Sequence, residues 1–279
     1  MRQTIARVAE LGGTGLHTGA AVHMCILPAP AGQGIMFRRT GQGGVHATAA
    51  RLDQVTGTDR RTVLGSGAGS IATVEHLLAA IVAEEIDDLT VEVDGAELPI
   101  LDGSFAPFVV LLREAGTERR PMPRQSLTLA AGFEVIDGDS RYTVEPSPML
   151  SLEVSLEYRE PVIGRQSAAL TVGPESFARD CAGARTYGFE DEVAVLRDRG
   201  LLAGAVIDCA ILCSATAVVN TTLRWPNEFA RHKLGDLLGD LALLGARPRV
   251  RIMAERPSHR GNLTCMRALA RAGRIVEDR

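Results

Sequence analysis

The sequence predicts an α+β fold made of two similar halves. Three observations carry this expectation. In each half, short strand-like segments and Gly-rich turns precede or flank helical patterns rather than alternating strictly with them. Each half contains one helix with a histidine near its start, His76 in the first and His232 in the second. Between the halves, residues 117–125 (Thr-Glu-Arg-Arg-Pro-Met-Pro-Arg-Gln) are charged, proline-bearing and aperiodic, which marks a domain boundary. The expected domains are 1–120 and 126–279. No clear identity links the halves, so their likeness rests on element order.

In the first half, residues 11–19 form a Gly-rich turn cluster. Residues 22–27 and 34–38 read as strands, the first stopped by Pro28-Ala-Pro30. Residues 41–69, rich in Gly and Thr, read as hairpins and loops. Ser70 or Thr73 is then placed to cap a helix reaching about Ala83, with Val74, Leu77, Leu78, Ile81 and Val82 on its apolar stripe. Residues 89–93 alternate as a strand closed by Asp94-Gly95, and 105–115 read as a second helix. In the second half, strands are expected at 127–129, 133–136, 142–144, 152–156, 206–212 and 249–254. Helices are expected at 174–182, 190–199, 227–244 and 263–272.

Composition bounds the function. The 279 residues are 46% hydrophobic, enough for one large core or two modest ones. Aromatic residues make up only 4%, so that core must be mainly aliphatic. A net charge of -4 argues against a nucleic-acid partner. The apolar stretch at 206–213 is too short to span a bilayer and is broken by Asp208, so no stable membrane insertion is expected. Residues 1–7 lack the apolar run of a secretory signal, and five scattered cysteines suit reduced, mostly buried thiols; the expected location is cytoplasmic.

The chemistry concentrates in Glu228-Phe-Ala-Arg-His-Lys-Leu-Gly-Asp-Leu-Leu-Gly-Asp240. Successive helical residues rotate by about 100°, which puts Asp236 about 40° and Asp240 about 80° from His232. The three form one polar stripe opposite Leu234, Leu237, Leu238, Leu241 and Leu244. A ligand pair at i,i+4 is sterically right for one metal ion. The plain alternative is a solvated face whose charges pair with Arg231 or Lys233. Gly235 and Gly239 flank the stripe and weaken the helix, which close approach of another element would explain. Upstream, Glu75-His76 opens a helix whose dipole favours a neutral, metal-binding imidazole; the alternative there is an exposed first-turn pair. Together His76, His232 and Asp236 make three ligands with a position left for water, and Glu75 is placed as its general base. His17 and His259 fall in loops. His17 needs only a turn role, whereas His259 is a candidate general acid.

Ile71-Ala-Thr-Val-Glu-His-Leu-Leu-Ala-Ala80, Leu101-Asp-Gly-Ser-Phe-Ala-Pro-Phe108, Ala184-Arg-Thr-Tyr-Gly-Phe189 and the 228–240 segment resemble the zinc-dependent UDP-3-O-acyl-N-acetylglucosamine deacetylases. Gly15-Leu-His-Thr-Gly19 and Asp208-Cys-Ala-Ile211 match as well, and the matches run in order along nearly the whole chain. The resemblance implies hydrolysis of the substrate's acetamide with release of acetate, the committed step of lipid A synthesis in Gram-negative bacteria. It implies two domains, each a small mixed β-sheet packed on two helices, with the helical layers facing each other in a β-α-α-β sandwich around the site. By the same resemblance, His76, His232 and Asp236 hold zinc and Glu75 is the base. A charged His259, oriented by Asp240, stabilises the oxyanion or protonates the amine, and Thr186 donates to the oxyanion. Lys233 and Phe189 contact substrate. An insert at about 185–209 forms an apolar passage for the acyl chain, with Leu196, Leu201, Leu202, Ala205 and Val206 as linings.

The ligand set suits Fe2+ as well as Zn2+, and the family default is a monomer. Gly235 and Glu190 depart from the family, each standing where relatives carry an apolar residue. Two other readings compete: a non-haem iron oxygenase, which shares the two-histidine, one-carboxylate triad, and a non-catalytic nucleotide-sugar-binding relative. Glu75 beside the open position favours hydrolysis.

Overall fold

The structure, a computed structural model, describes residues 1–41, 44–204 and 209–278. It has the α+β architecture expected from the sequence. The first sheet has the order Ala9–Thr14, Ala21–Pro28, Leu89–Val93, Ile35–Gly41, Gly44–Ala49. Leu89–Val93 is central, antiparallel to Ala21–Pro28 and parallel to Ile35–Gly41. Period-two alternation turns Val22, Met24 and Ile26 into the core. Helices α1 (Glu75–Ala83) and α2 (Ala106–Ala115) belong to this half. α1 is buried on nearly every side, which its unbroken run of Leu, Ala and Ile permits.

The second half contributes α3 (Pro174–Asp180), α4 (Glu190–Asp198), α5 (Glu228–Leu241) and α6 (His259–Ala272). Its sheet is built on Arg247–Glu255, which runs antiparallel to Ser140–Pro146 and parallel to both Ser151–Glu157 and Gln125–Thr128. The core is continuous: Leu77 and Ile81 of α1, Leu237 and Leu238 of α5, and Val144, Val154 and Ile252 of the second sheet belong to one buried cluster.

The two halves meet where α1 packs on α5. The glycines of α5 make that contact close. A Cβ at Gly239 would overlap the carbonyl oxygen of Glu75, and one at Gly235 would overlap the ring of Phe105. The close approach anticipated from Gly235 and Gly239 is therefore made by the two segments that carry the upstream motifs. Phe105 also accounts for the departure at Gly235, because its ring fills the space a larger residue would need.

Several boundaries differ from expectation. Neither Ser70 nor Thr73 caps α1; its N-cap is Val74, without a side-chain cap. Thr73 instead adopts φ 58° and donates its hydroxyl to Glu97 at 2.8 Å. The supposedly aperiodic segment 117–125 begins with a strand, Thr117–Arg120, paired antiparallel with Arg2–Ile5. Only that distant partner defines it, since most of its residues are exposed and no apolar alternation marks it. α6 starts at His259 rather than 263, because Ser258 is its N-cap and accepts from the Gly261 amide at 3.1 Å. In the insert, Tyr187–Phe189 pairs in parallel with Ile211–Cys213. Residues 205–208, including Ala205, Val206 and Asp208 of the expected strand and passage, lie outside the described residues. Among the described residues no helix is long and apolar enough to cross a membrane.

Candidate metal centre and active-site cavity

His76, His232 and Asp236 converge. One ligand atom from each lies within 4.8 Å of the others. Asp236 Oδ1 is 3.3 Å from His232 Nε2 and 3.7 Å from His76 Nε2. All three are buried, with exposures of 4%, 2% and 3% for His76, His232 and Asp236, so the stripe on α5 is not a solvated face. Part of the plain alternative is nevertheless present: Lys233 Nζ donates to Asp236 Oδ2 at 2.9 Å.

That pairing leaves Asp236 Oδ1 buried without a hydrogen-bond partner. An orphaned carboxylate oxygen facing two imidazoles fits a divalent cation, because only a cation would satisfy all three groups at once. The contact behind His232 agrees. His232 Nδ1 lies 3.0 Å from the carbonyl oxygen of Ala184. A carbonyl can only accept, so Nδ1 carries the proton and Nε2 is free to coordinate. Burial, with the neighbouring His232, pushes His76 down to about 3, holding it neutral. Phe105 walls the site, its ring centroid 4.8 Å from His76 and 5.1 Å from His232.

Glu75 precedes His76 on α1 and is buried, with its Oε2 accepting from the Thr62 amide at 3.0 Å. Burial raises its carboxyl to about 7; Asp236 and Asp240 add to this, and His259 opposes it. The Nδ1 of His259 donates to Asp240 Oδ2 at 2.9 Å. Burial works against the charged imidazole, but the Asp240 carboxylate prevails and lifts His259 to about 9. Asp240 is fully buried behind it and is held further by Asn262 Nδ2 at 2.8 Å and by the Thr62 hydroxyl at 2.6 Å. Tyr142 in turn donates to Asn262 Oδ1 at 2.8 Å.

These groups open onto one cavity of about 510 Å³. Glu75, His76, Thr186, Phe189, Leu196, Leu202, His232, Lys233, Asp236 and His259 all line it. Among the described candidate residues, Asp240 and Leu201 do not. Thr186 is fixed by its backbone: its amide donates to Gly103 at 2.8 Å and its carbonyl accepts from Ile211 at 2.8 Å. The turn before it is anchored by a buried ion pair, Arg185 Nε to Glu228 Oε1 at 2.8 Å. Leu196 and Leu202 supply an apolar wall, whereas Leu201 is not part of it. The insert reaches across to the first half, with Ala203 and Gly204 amides donating to the carbonyls of His17 and Leu16 at 3.1 Å. Arg60 grips Glu192 of α4 at 2.8 and 3.0 Å.

Sequence reasoning missed Thr62, Asn262 and Tyr142, and undervalued His17. His17 is buried, lines the cavity and has an unpartnered Nδ1. Burial and the nearby Arg61 lower it to about 4. No local signal distinguishes Thr62 inside a Gly- and Thr-rich loop, whereas Ser258 before His259 was a readable cap.

The chain matches the family model described as UDP-3-O-acyl N-acetylglycosamine deacetylase over residues 2–271. It belongs to that family. Three relatives, each named UDP-3-O-acyl-N-acetylglucosamine deacetylase, show the extent of the likeness. The protein of Oleidesulfovibrio alaskensis is 42% identical over 244 residues, covering 87% of this chain and 80% of its own. That of Myxococcus xanthus is 38% identical over 245 residues, 88% of this chain and 78% of its own. That of Thermosynechococcus vestitus is 37% identical over 269 residues, 96% and 94% respectively. Membership in this deacetylase family sets the oxygenase reading aside.

Proposed function

We propose that this deacetylase hydrolyses the acetamide of UDP-3-O-acyl-N-acetylglucosamine, releasing acetate in lipid A biosynthesis, with zinc held by His76, His232 and Asp236. The observation that carries the reading is the meeting of those three groups with Glu75 and His259 on the wall of one cavity. When bound, the zinc ion supplies a Lewis acid for the carbonyl and lowers the pKa of water to about 7.

The protein's own groups do the rest. Glu75, steadied by the Thr62 amide, removes a proton from the attacking water. Thr186, on the cavity wall, donates to the oxygen that becomes negative at the acetyl carbon. The carbon–nitrogen bond then breaks. His259, protonated and fixed by Asp240, delivers a proton to the departing nitrogen. Water and amide thereby become acetate and amine. Lys233 and Phe189 contact the substrate, and Leu196 and Leu202 face its acyl chain. Residues 1–120 and 126–279 are the two domains, and the enzyme works as a cytoplasmic monomer that needs neither nucleic acid nor membrane insertion.

The test is acetate release from this substrate by protein of measured zinc content. Release that disappears on chelation and returns with zinc supports the reading; metal-loaded protein that releases no acetate overturns it.

A further inference from the structure

Thr62 lies before the short strand Val63–Leu64, in the first half, and is completely buried. Its two donors go to different partners. The amide donates to Glu75 Oε2 at 3.0 Å, and the hydroxyl donates to Asp240 Oδ1 at 2.6 Å. The same hydroxyl oxygen is 3.3 Å from His259 Nδ1. We propose that Thr62 is a positioning residue that sets the general base Glu75 and the Asp240–His259 pair in one frame across the interface between the halves.

Asp240 is fully buried and needs donors on both oxygens. Oδ2 receives His259 Nδ1 and Asn262 Nδ2, at 2.9 and 2.8 Å. Among the described residues, the hydrogen bond to Oδ1 comes from the Thr62 hydroxyl. Without it, Oδ1 is a buried acceptor with no partner, and the carboxylate gains by turning toward another donor. His259 turns with it, because its Nδ1 is bonded to Oδ2. Asp240 and His259 come from α5 and α6, while Glu75 comes from α1. Thr62 thus joins acid and base that belong to different halves, and a small rotation at Asp240 misplaces the proton donor relative to the base.

This inference rests on the proposed roles of Glu75 and His259, and its test separates the two. Thr62→Val, Thr62→Ala and Thr62→Ser are made in the full chain. Each zinc-loaded variant is assayed for kcat and KM with UDP-3-O-acyl-N-acetylglucosamine, for zinc content and for its melting curve. Removing the hydroxyl (Val or Ala) is expected to lower kcat by about ten- to a hundredfold, the scale of a displaced catalytic group, with KM and zinc content kept. Thr62→Ser is expected to recover most of the loss. Adding Thr62→Val to Asp240→Asn should lower kcat no further, because the hydroxyl acts through Asp240. The proposal is overturned by unchanged kcat in folded Val and Ala variants, by a Ser variant as slow as Val, or by multiplying losses in the double variant. Glu75→Gln and His259→Ala are run beside them: full activity in either overturns the underlying roles, whereas their loss beside an active Thr62→Val overturns only the role of Thr62.

Discussion

Gly239 of α5 lies against the backbone of Glu75 so closely that a single added carbon would overlap the Glu75 carbonyl oxygen. The contact fixes the turn of α1 that carries Glu75 against the helix that carries His232 and Asp236, and backbone cannot yield as a flexible side chain can. Gly239→Ala is expected to destabilise the protein by more than the roughly 1–3 kcal/mol usual for overpacking, and to lower kcat in whatever remains folded. Gly41, with open space around it, is the control position. Urea unfolding of both alanine variants checks the claim; equal stability would refute it.

The ligands and the acid–base pair should separate in metal analysis. His76→Ala removes one of three ligands and is expected to lose zinc. Glu75→Ala and His259→Ala should keep zinc nearly intact while turnover falls by about 10²- to 10⁴-fold, the worth of a positioned proton-transfer group. Zinc content and kcat measured on the same preparations decide this.

Glu75 and His259 are both shifted upward but are needed in opposite protonation states, which predicts a bell-shaped pH profile of kcat/KM. Glu75 must be ionised, so activity rises with pH through about 7. His259 must be charged, so activity falls as pH passes about 9. Removing the negative charge with Asp240→Asn takes away what raises His259, and the basic limb should move to lower pH. A limb that stays in place would assign it to another group.

Glu228 is a fully buried carboxylate paired with Arg185. Arg185 sits between Ala184, which orients His232, and Thr186 on the cavity wall. Glu228→Ala leaves a buried guanidinium uncompensated and is expected to cost about 3–5 kcal/mol. Thermal or urea unfolding measures the loss, and a change under 1 kcal/mol would contradict it.

Leu196 is buried on the cavity wall. A charge there should oppose an apolar chain more than the head group. Leu196→Asp is therefore expected to raise KM for a long-acyl substrate several-fold while a short-acyl analogue is affected less. Equal effects on both substrates would remove Leu196 from the passage.

The candidate metal residues were legible because two of them share one helix at i,i+4, and the third opens another helix beside a carboxylate. Their neighbours in sequence and the family resemblance supplied the roles. His259 was found as a candidate but placed in a loop, since Ser258 was not recognised as a cap. Thr62, Asn262 and Tyr142 were invisible, because nothing near them in the chain states what they touch. Asp240 and Thr62 are separated by 178 positions and joined by one hydrogen bond.

What the sequence by itself determined is the set of local patterns: the polar stripe of α5, the apolar run of α1, the glycines that allow a close contact, and the family motifs that name the chemistry. These depend on helical and strand periodicity and on residue type, which neighbours along the chain express. What only the tertiary structure decided is burial and partnership. It brought His76 to His232 and Asp236, left Asp236 Oδ1 facing the two imidazoles without a donor, and set Glu75 and His259 in environments that raise both. Desolvation and hydrogen bonding act through space, so they appear only once distant segments are packed together.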